Sequence, residues 1–187
     1  MSAQNFSSPT HGAELRLRVA RPSDAERIGH LMERAIAELQ SDVLSPSQVE
    51  ASRMGMGLDT QLIADGTYFV VEAGEAMAGC GGWSRRATLY GGNHSGGRDA
   101  RLLDPVTERA RIRAMYTHPD FVRRGVGRLI LEAGEAAARA EGFRAAEMAA
   151  TLAGKPFYER CGYAVERAFN DMQGDVAVPL FVMARTL

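Results

Sequence analysis

A short turn rich in glycine and arginine contains the residues of this sequence whose types and spacing most clearly suggest chemistry. Gly125 and Gly127 lie between an apolar strand and an apolar helix, and Arg123, Arg124 and Arg128 surround them. A helix start offers backbone N–H groups without intrahelical partners and a partial positive charge. Glycine lets an anion approach those groups, and arginine adds charge-assisted hydrogen bonds to phosphate oxygens. The turn is therefore predicted to bind a cofactor pyrophosphate.

The elements that must position this turn alternate between predicted strands and helices. Apolar runs and period-two patterns predict strands at 15–19, 67–72, 77–83, 111–117, 145–150, 163–169 and 176–183. Helical periodicity predicts helices at 23–40, 45–55, after residue 125, and at 156–160. A crossover helix makes strands 111–117 and 145–150 parallel, and the last two strands are expected to pair antiparallel. The pattern indicates an α/β fold.

Two helix starts and one strand irregularity can be predicted in more detail. Ser23 and Glu26 have the spacing of a capping box, and so do Ser45 and Gln48. The glycines within 77–83 weaken that strand, and they indicate a bulge or a close backbone approach by a ligand.

Residues 88–107 form a long internal loop without periodicity, and its first part is rich in glycine. A loop of this length inside a compact domain is usually functional or disordered. Two interpretations stay open, a lid that faces the substrate and a mobile excursion without a role.

The composition of the chain excludes several classes of protein. The 187 residues carry a formal net charge of −1, so nucleic acid is not a favoured partner. Cys80 and Cys161 are expected to be free core thiols, and His94 has no second ligand at metal spacing, so no metal site is expected. No apolar run has the length of a membrane span, and the start lacks a signal-peptide pattern. We expect a flexible tail at 1–13, one domain at 14–187 and a cytoplasmic location.

The glycine turn alone is weak evidence for a cofactor site, and a second motif strengthens that prediction. The turn is no P-loop and lacks the third glycine of a dinucleotide fingerprint. Phe157-Tyr158 and Gly162-Tyr163 follow it after one strand. With this element order, 15–187 resembles the GCN5-related N-acetyltransferase (GNAT) superfamily, the acyl-CoA N-acyltransferases. In the family's cofactor signature, Val122 stands where glutamine or arginine is expected.

The resemblance implies a fold, a cofactor and a reaction. The implied fold is α+β, a central mixed sheet of about six to seven strands with helices on both faces. The implied co-substrate is acetyl-CoA, and the implied reaction moves its acetyl group to the amine of a small molecule by direct attack. A non-catalytic acyl-CoA-binding or regulatory module on the same fold is the alternative. A different nucleotide binder is a third interpretation, and monomer and homodimer both stay open.

The resemblance also implies roles for individual residues. Backbone groups of Met115, Tyr116 and Thr117 are implied to hold the pantetheine arm and the thioester oxygen, and Thr151 stands where the family often has an asparagine. Tyr158 is implied to protonate the leaving thiolate, since a phenol of pKa about 10 is a usable acid towards it. The full set of implied cofactor-binding residues is Met115, Tyr116, Thr117, Arg123, Arg124, Gly125, Val126, Gly127, Arg128 and Thr151.

The group that takes a proton from the amine is not determined by the sequence. Some relatives that modify histones place a glutamate where this chain has Arg111. Glu147, Glu33, Tyr116 and a water relay all stay open as the base. Arg111 and Arg113 alternate along one strand. They are either solvated or line the substrate cleft, where they would favour an acidic substrate.

Overall fold

Seven strands form a single mixed sheet in the computed structural model, which describes residues 13–187. Their order is β1-β2-β3-β4-β5-β7-β6, and only the β4–β5 pair is parallel. The strands are β1 Leu15–Val19, β2 Tyr68–Ala73, β3 Ala76–Ser84, β4 Ala110–Thr117, β5 Ala145–Thr151, β6 Ala164–Gln173 and β7 Val176–Thr186. The parallel pair and the antiparallel β6–β7 pair are as the sequence predicts.

Helices cover both faces of this sheet, as expected. They are α1 Ala25–Leu39, α2 Pro46–Gly55, α3 Thr60–Ala64, α4 Val126–Ala140 and α5 Lys155–Arg160. Neighbouring residues of β2 point to opposite faces. Val70 packs with Ile28 of α1 in one core cluster, whereas Val71 packs with Ile130 of α4 in another. The sheet is therefore buried between α1 and α4, which fixes the start of α4 beside the end of β4.

The predicted capping box at Ser23 is wrong. A 3-10 turn at Pro22–Asp24 precedes α1, and the Asp24 carboxylate accepts the backbone N–H of Arg21 at 2.7 Å. Arg18 donates to both oxygens of the same carboxylate. A carboxylate is a stronger acceptor than a serine hydroxyl, so α1 begins two residues later than predicted.

The capping box at Ser45 is confirmed, and one helix was missed. Ser45 Oγ accepts the N–H of Gln48 at 3.3 Å, and the Ser45 N–H donates to Gln48 Oε1 at 3.1 Å. The short helix α3 has too few residues for a periodic pattern. Its signal is Asp59, the N-cap, whose side chain accepts the N–H of Gln61 at 3.1 Å.

Strand β4 bulges in its middle and then leaves β5. The residue Ala114 has a φ of 48°, and the β3–β4 register shifts between Cys80 and Gly82. Gly81 makes the bulge sterically feasible, since a Cβ there would lie 2.7 Å from Met115 Cγ. The extra residue of this bulge lies on β4. The bulge predicted within 77–83 is confirmed at another place, in the β2–β3 ladder, where Ala78 has no partner between Met77 and Gly79.

Buried Tyr68 braces the bulge by donating its hydroxyl to the Ala114 carbonyl at 2.7 Å. Strands β4 and β5 pair only at their first residues, where Arg111 lies opposite Glu147. Beyond that point the two strands separate, and a cleft opens between them.

Candidate active site

A cavity of about 740 Å³ fills the cleft between β4 and β5. Residues 112–117 of β4 and 148–151 of β5 form its two sides. The turn before α4 closes one end, and the ends of α1 and α2 with part of the 88–107 loop close the other. The cavity therefore extends from the predicted anion site to a second region at its opposite end. We call the surface that lines this second region the distal wall. Its residues are Ala35, Leu39, Gln40, Met56, Gly57, Leu89, Tyr90 and Gly91.

The anion end is formed by the first turn of α4. Gly125 is its N-cap with a φ of 86°, and no side chain caps the helix. Arg123, two residues earlier, also has a positive φ, of 63°. Successive N–H groups in such a turn converge to form a nest for an anion. Gly127 lies close under the Phe157 ring, since a Cβ there would sit 3.3 Å from Cζ of that ring.

The three arginines near this turn occupy different places. Arg123 and Arg128 line the cavity. The Arg124 guanidinium lies 4.8 Å from the centroid of the Phe121 ring, outside the cavity-lining set. Arg160 of α5 lines the cavity as well, and it was not singled out from the sequence because it belongs to no glycine motif. The positive charge at this end therefore comes from Arg123, Arg128 and Arg160.

Two other predicted positions differ in what they can offer. The Val126 side chain is 1% exposed and packs in the core, so only its backbone N–H is available to a ligand. Val122, at the position of the family's polar residue, lines the cavity and is 41% exposed. A valine side chain cannot bond a phosphate, so binding there depends on backbone N–H groups and on arginine.

Tyr158 of α5 lines the cavity near the carboxyl end of β5. It is 9% exposed and packs edge-on against Phe157 and Tyr163, with ring centroids 5.0 and 6.1 Å away. Within residues 13–187, no hydrogen bond joins its hydroxyl to another residue. Burial raises the pKa of Tyr158 well above its ordinary value. The hydroxyl is therefore protonated at neutral pH and free to donate.

The remaining predicted residues of the cofactor arm lie on the two separating strands. Met115, Tyr116 and Thr117 line the cavity from β4, and Thr151 lines it from β5. Thr151 Oγ1 accepts the Gly154 N–H at 3.0 Å, which leaves its O–H free to donate. Burial, with the nearby Cys80 and Tyr158, raises the pKa of Tyr116. Tyr116 is therefore a poor base at neutral pH.

The carboxylates considered as a base do not line the cavity. Glu147 forms ion pairs with Arg111 and with Arg109, the latter at 3.5 Å. Glu33 is exposed on α1 and also lies outside the lining set. Of the alternatives, only Tyr116 and a water relay have access to the cavity.

Arg113 lines the cavity and bonds to groups beside the distal wall, as in the second of the two interpretations left open for it. It is 3% exposed and donates to the carbonyls of Thr88 and Gly91, both at 2.8 Å. It also pairs with Asp59 at 2.9 Å, and Arg98 donates to the same carboxylate at 2.7 Å. The solvated interpretation of Arg113 is wrong, because the side chain is buried and its guanidinium bonds to Asp59 and to two backbone carbonyls.

The 88–107 loop is anchored by these contacts. Asn93 adds to them: its N–H donates to the Leu58 carbonyl at 2.9 Å and its side chain accepts the Thr60 N–H at 3.0 Å. Leu89, Tyr90 and Gly91 face the cavity. Of the two interpretations left open, this placement fits the loop that faces a substrate.

Comparison with known proteins identifies the family. Residues 64–165, more than half of the chain, match the model of the acetyltransferase (GNAT) domain. The chain belongs to the GNAT family. Among curated proteins, no sequence matches it significantly.

Solved structures agree with this fold. A GCN5-related N-acetyltransferase from Rhodopseudomonas palustris is 20% identical over 100% of both chains, with a TM-score of 0.68. The PaiA N-acetyltransferase of Thermoplasma acidophilum, solved with coenzyme A, is 12% identical over 93% of this chain and 99% of its own, with a TM-score of 0.62. YncA of Salmonella typhimurium, solved with acetyl-CoA, is 14% identical over 93% of this chain and 94% of its own, with a TM-score of 0.61.

Residues 13–187 of the GNAT chain show neither a cluster of metal-ligating side chains nor a helix fit to span a membrane. No group of three or more His, Cys, Asp or Glu side chains is arranged to hold a metal ion. No helix in this part of the chain is long and apolar enough to cross a membrane. Residues 1–12, where a flexible tail was expected, lie outside the described structure.

Proposed function

We propose that this GNAT protein transfers an acetyl group from acetyl-CoA to the amine of a small molecule by direct attack. One observation carries the proposal. A single cleft between β4 and β5 contains both an uncapped helix start and a buried, protonated tyrosine. The first suits a pyrophosphate and the second suits a leaving thiolate.

The anion end fits the pyrophosphate of acetyl-CoA as co-substrate. The N–H groups at Val126, Gly127 and Arg128 begin α4 without side-chain caps. Arg123 and Arg128 add positive charge beside them. The binding role first predicted for Arg124 passes in this proposal to Arg160, because the Arg124 guanidinium lies on Phe121.

The two separating strands suit the pantetheine arm. Parallel strands that part leave backbone N–H and C=O groups without strand partners, and an extended amide-bearing chain can bond to them. Met115 and Thr117 offer such groups on β4, and Thr151 offers its hydroxyl from β5. A backbone N–H near Met115 or Tyr116 is the proposed donor to the thioester oxygen, where negative charge develops in the transition state.

Tyr158 is the proposed acid that protonates the departing sulfur. Among residues 13–187 no carboxylate lines the cavity, so we propose that the amine loses its proton through water. A cytoplasmic location and a choice between monomer and homodimer stay predictions.

Acetyl-CoA-dependent thiol release with a panel of amines tests the proposal. We expect thiol release that requires both acetyl-CoA and an amine. Stabilisation by acetyl-CoA without release from any amine would favour the non-catalytic module. Thermal stabilisation of the protein by ATP or NAD, with none by acetyl-CoA, would contradict both the acetyltransferase and the non-catalytic acyl-CoA-binding module.

A further inference from the structure

The charged residues that line the cavity are all of one sign. They are Arg113, Arg123, Arg128 and Arg160. No aspartate or glutamate lines it among the described residues, and residues 1–12 contain neither. A cationic ligand in this cavity therefore finds arginine and no carboxylate.

Two acidic residues beside the distal wall, Asp59 and Asp171, already have hydrogen-bond partners. Asp59 is 2% exposed and pairs with Arg113 and Arg98. Asp171 accepts the Tyr90 hydroxyl at 3.1 Å and the Gln173 amide at 2.9 Å, and it lines a second recess rather than the main cavity. Asp59 is neutralised by two arginines and Asp171 lines the second recess, so neither carboxylate lines the main cavity as a counter-ion for an ammonium.

The distal wall itself is largely apolar and neutral. Leu39, Met56 and Leu89 supply its apolar surface. Of the buried side-chain atoms left without a partner in the described chain, only Gln40 Oε1 belongs to a residue that lines the cavity. An amide oxygen can accept a hydrogen bond from an uncharged N–H. Burying an unpaired ammonium beside such a wall costs far more than burying a neutral amine.

We propose that the acceptor is an amine that is uncharged at neutral pH, such as an arylamine, on an apolar body. This inference rests on the proposed acetyl transfer. The nitrogen lone pair forms the C–N bond and the C–S bond breaks. The sulfur takes a proton from Tyr158, and the nitrogen loses one to water, from which Tyr158 is reprotonated. The net products are an N-acetyl amide and the free thiol of coenzyme A.

Two isomers of one formula test the acceptor class with little change in size. In p-toluidine the nitrogen is bonded to the ring and uncharged at pH 7, whereas in benzylamine it is an alkylammonium. Benzylamine is about one pKa unit less basic than a lysine side chain, so roughly one molecule in a few hundred is uncharged at pH 7. We expect the full-length protein with coenzyme A to bind p-toluidine at least about tenfold more tightly in calorimetry. With acetyl-CoA, we expect kcat/KM for p-toluidine to be at least about tenfold higher.

A carboxylate placed in the distal wall tests the cause of this preference. Leu39→Glu adds a counter-ion, and Leu39→Gln is the matched control of equal length without charge. Relative to Leu39→Gln, we expect Leu39→Glu to raise kcat/KM for benzylamine about tenfold and to lower that for p-toluidine.

The outcomes separate the acceptor class from the reaction. Tighter binding and faster turnover of benzylamine by the wild-type protein would overturn the inference and leave acetyl transfer intact. If p-toluidine binds preferentially but no amine causes thiol release, the uncharged distal wall would be supported and the proposed acetyl transfer would be contradicted. Binding of neither isomer, or equal effects of the two Leu39 variants, would overturn the inference.

Discussion

The two ends of the cavity are built in different ways. The anion end comes mainly from one continuous segment, in which Arg123, Gly125 and Gly127 follow one another at the start of α4, and Arg160 of α5 adds a charge to it. The distal wall is assembled from three separate parts of the chain and is held together by the buried Arg113. A local segment can keep its shape through its own backbone, whereas an assembled wall depends on long-range contacts. Mutations in the distal wall are therefore expected to lower the free energy of unfolding, whereas mutations at the anion end are expected to weaken the binding of acetyl-CoA.

The largest expected effect is on the distal wall, from Arg113→Met. The change leaves Asp59 buried with Arg98 as its remaining partner and frees the carbonyls of Thr88 and Gly91. Removing one partner of a buried ion pair costs about 3 to 5 kcal/mol of unfolding free energy. Urea denaturation measures this loss, and Arg124→Met is the matched control, with an expected loss below about 1 kcal/mol. Equal losses in the two variants would show that the distal wall does not depend on Arg113.

The next effect lies between the two ends, at Tyr158. Tyr158→Phe is expected to lower kcat about 100-fold with little change in KM, since general acids contribute about 10²–10⁴-fold. Tyr163→Phe is the control, because that hydroxyl bonds Glu135 at 3.0 Å away from the cavity and should affect stability instead. Steady-state kinetics with the best amine distinguishes the two, and an unchanged kcat for Tyr158→Phe would remove it from the mechanism.

The raised pKa of Tyr158 also predicts a pH profile. Because the folded pKa lies above the ordinary value of about 10, the hydroxyl stays protonated, and able to act as an acid, up to at least that pH. We expect no loss of kcat from tyrosine ionisation between pH 7 and about 9.5. A fall in kcat with a midpoint below pH 9 that disappears in Tyr158→Phe would contradict the buried, neutral tyrosine.

The anion end is expected to respond in binding rather than in stability. In Gly127→Ala, the new Cβ would lie 3.3 Å from the Phe157 ring and beside the N–H groups that face the phosphates. We expect acetyl-CoA to bind about tenfold more weakly, a change of about 1.4 kcal/mol. Gly134→Ala in the same helix is the control, since its Cβ would have ordinary contacts at 3.6 Å with Trp83. Calorimetry showing equal affinities for the two variants would contradict the pyrophosphate site.

The smallest effect is expected at the bulge that joins the two ends. Tyr68→Phe removes the hydrogen bond to the Ala114 carbonyl, which is worth about 1 kcal/mol of unfolding free energy. The bulge sets the direction of the Met115 N–H, so we also expect kcat to fall a few-fold while KM stays constant. If kcat is unchanged despite the loss of stability, the bulge has a structural role only.

The same contrast explains what the sequence could predict. The sheet, the crossover and the Gly125 turn follow from periodicity and turn chemistry, which are local. The inward turn of Arg113, the ion pair of Arg111 with Glu147 and the position of Arg124 over Phe121 depend on partners far along the chain or on side-chain orientation. The Ser23 capping box failed for a different reason: the nearby residues Arg18 and Asp24 form a stronger local arrangement.

The most direct test of the account is the stoichiometry of one reaction, with acetyl-CoA and p-toluidine as the two substrates. Thiol release is followed by colorimetry, and the acetylated amine is counted by mass spectrometry. If the protein transfers acetyl groups in this cavity, we expect one N-acetyl product for each thiol released and no release when the amine is omitted. Thiol release without an N-acetyl product, or with no dependence on any amine, would contradict acetyl transfer in this cavity.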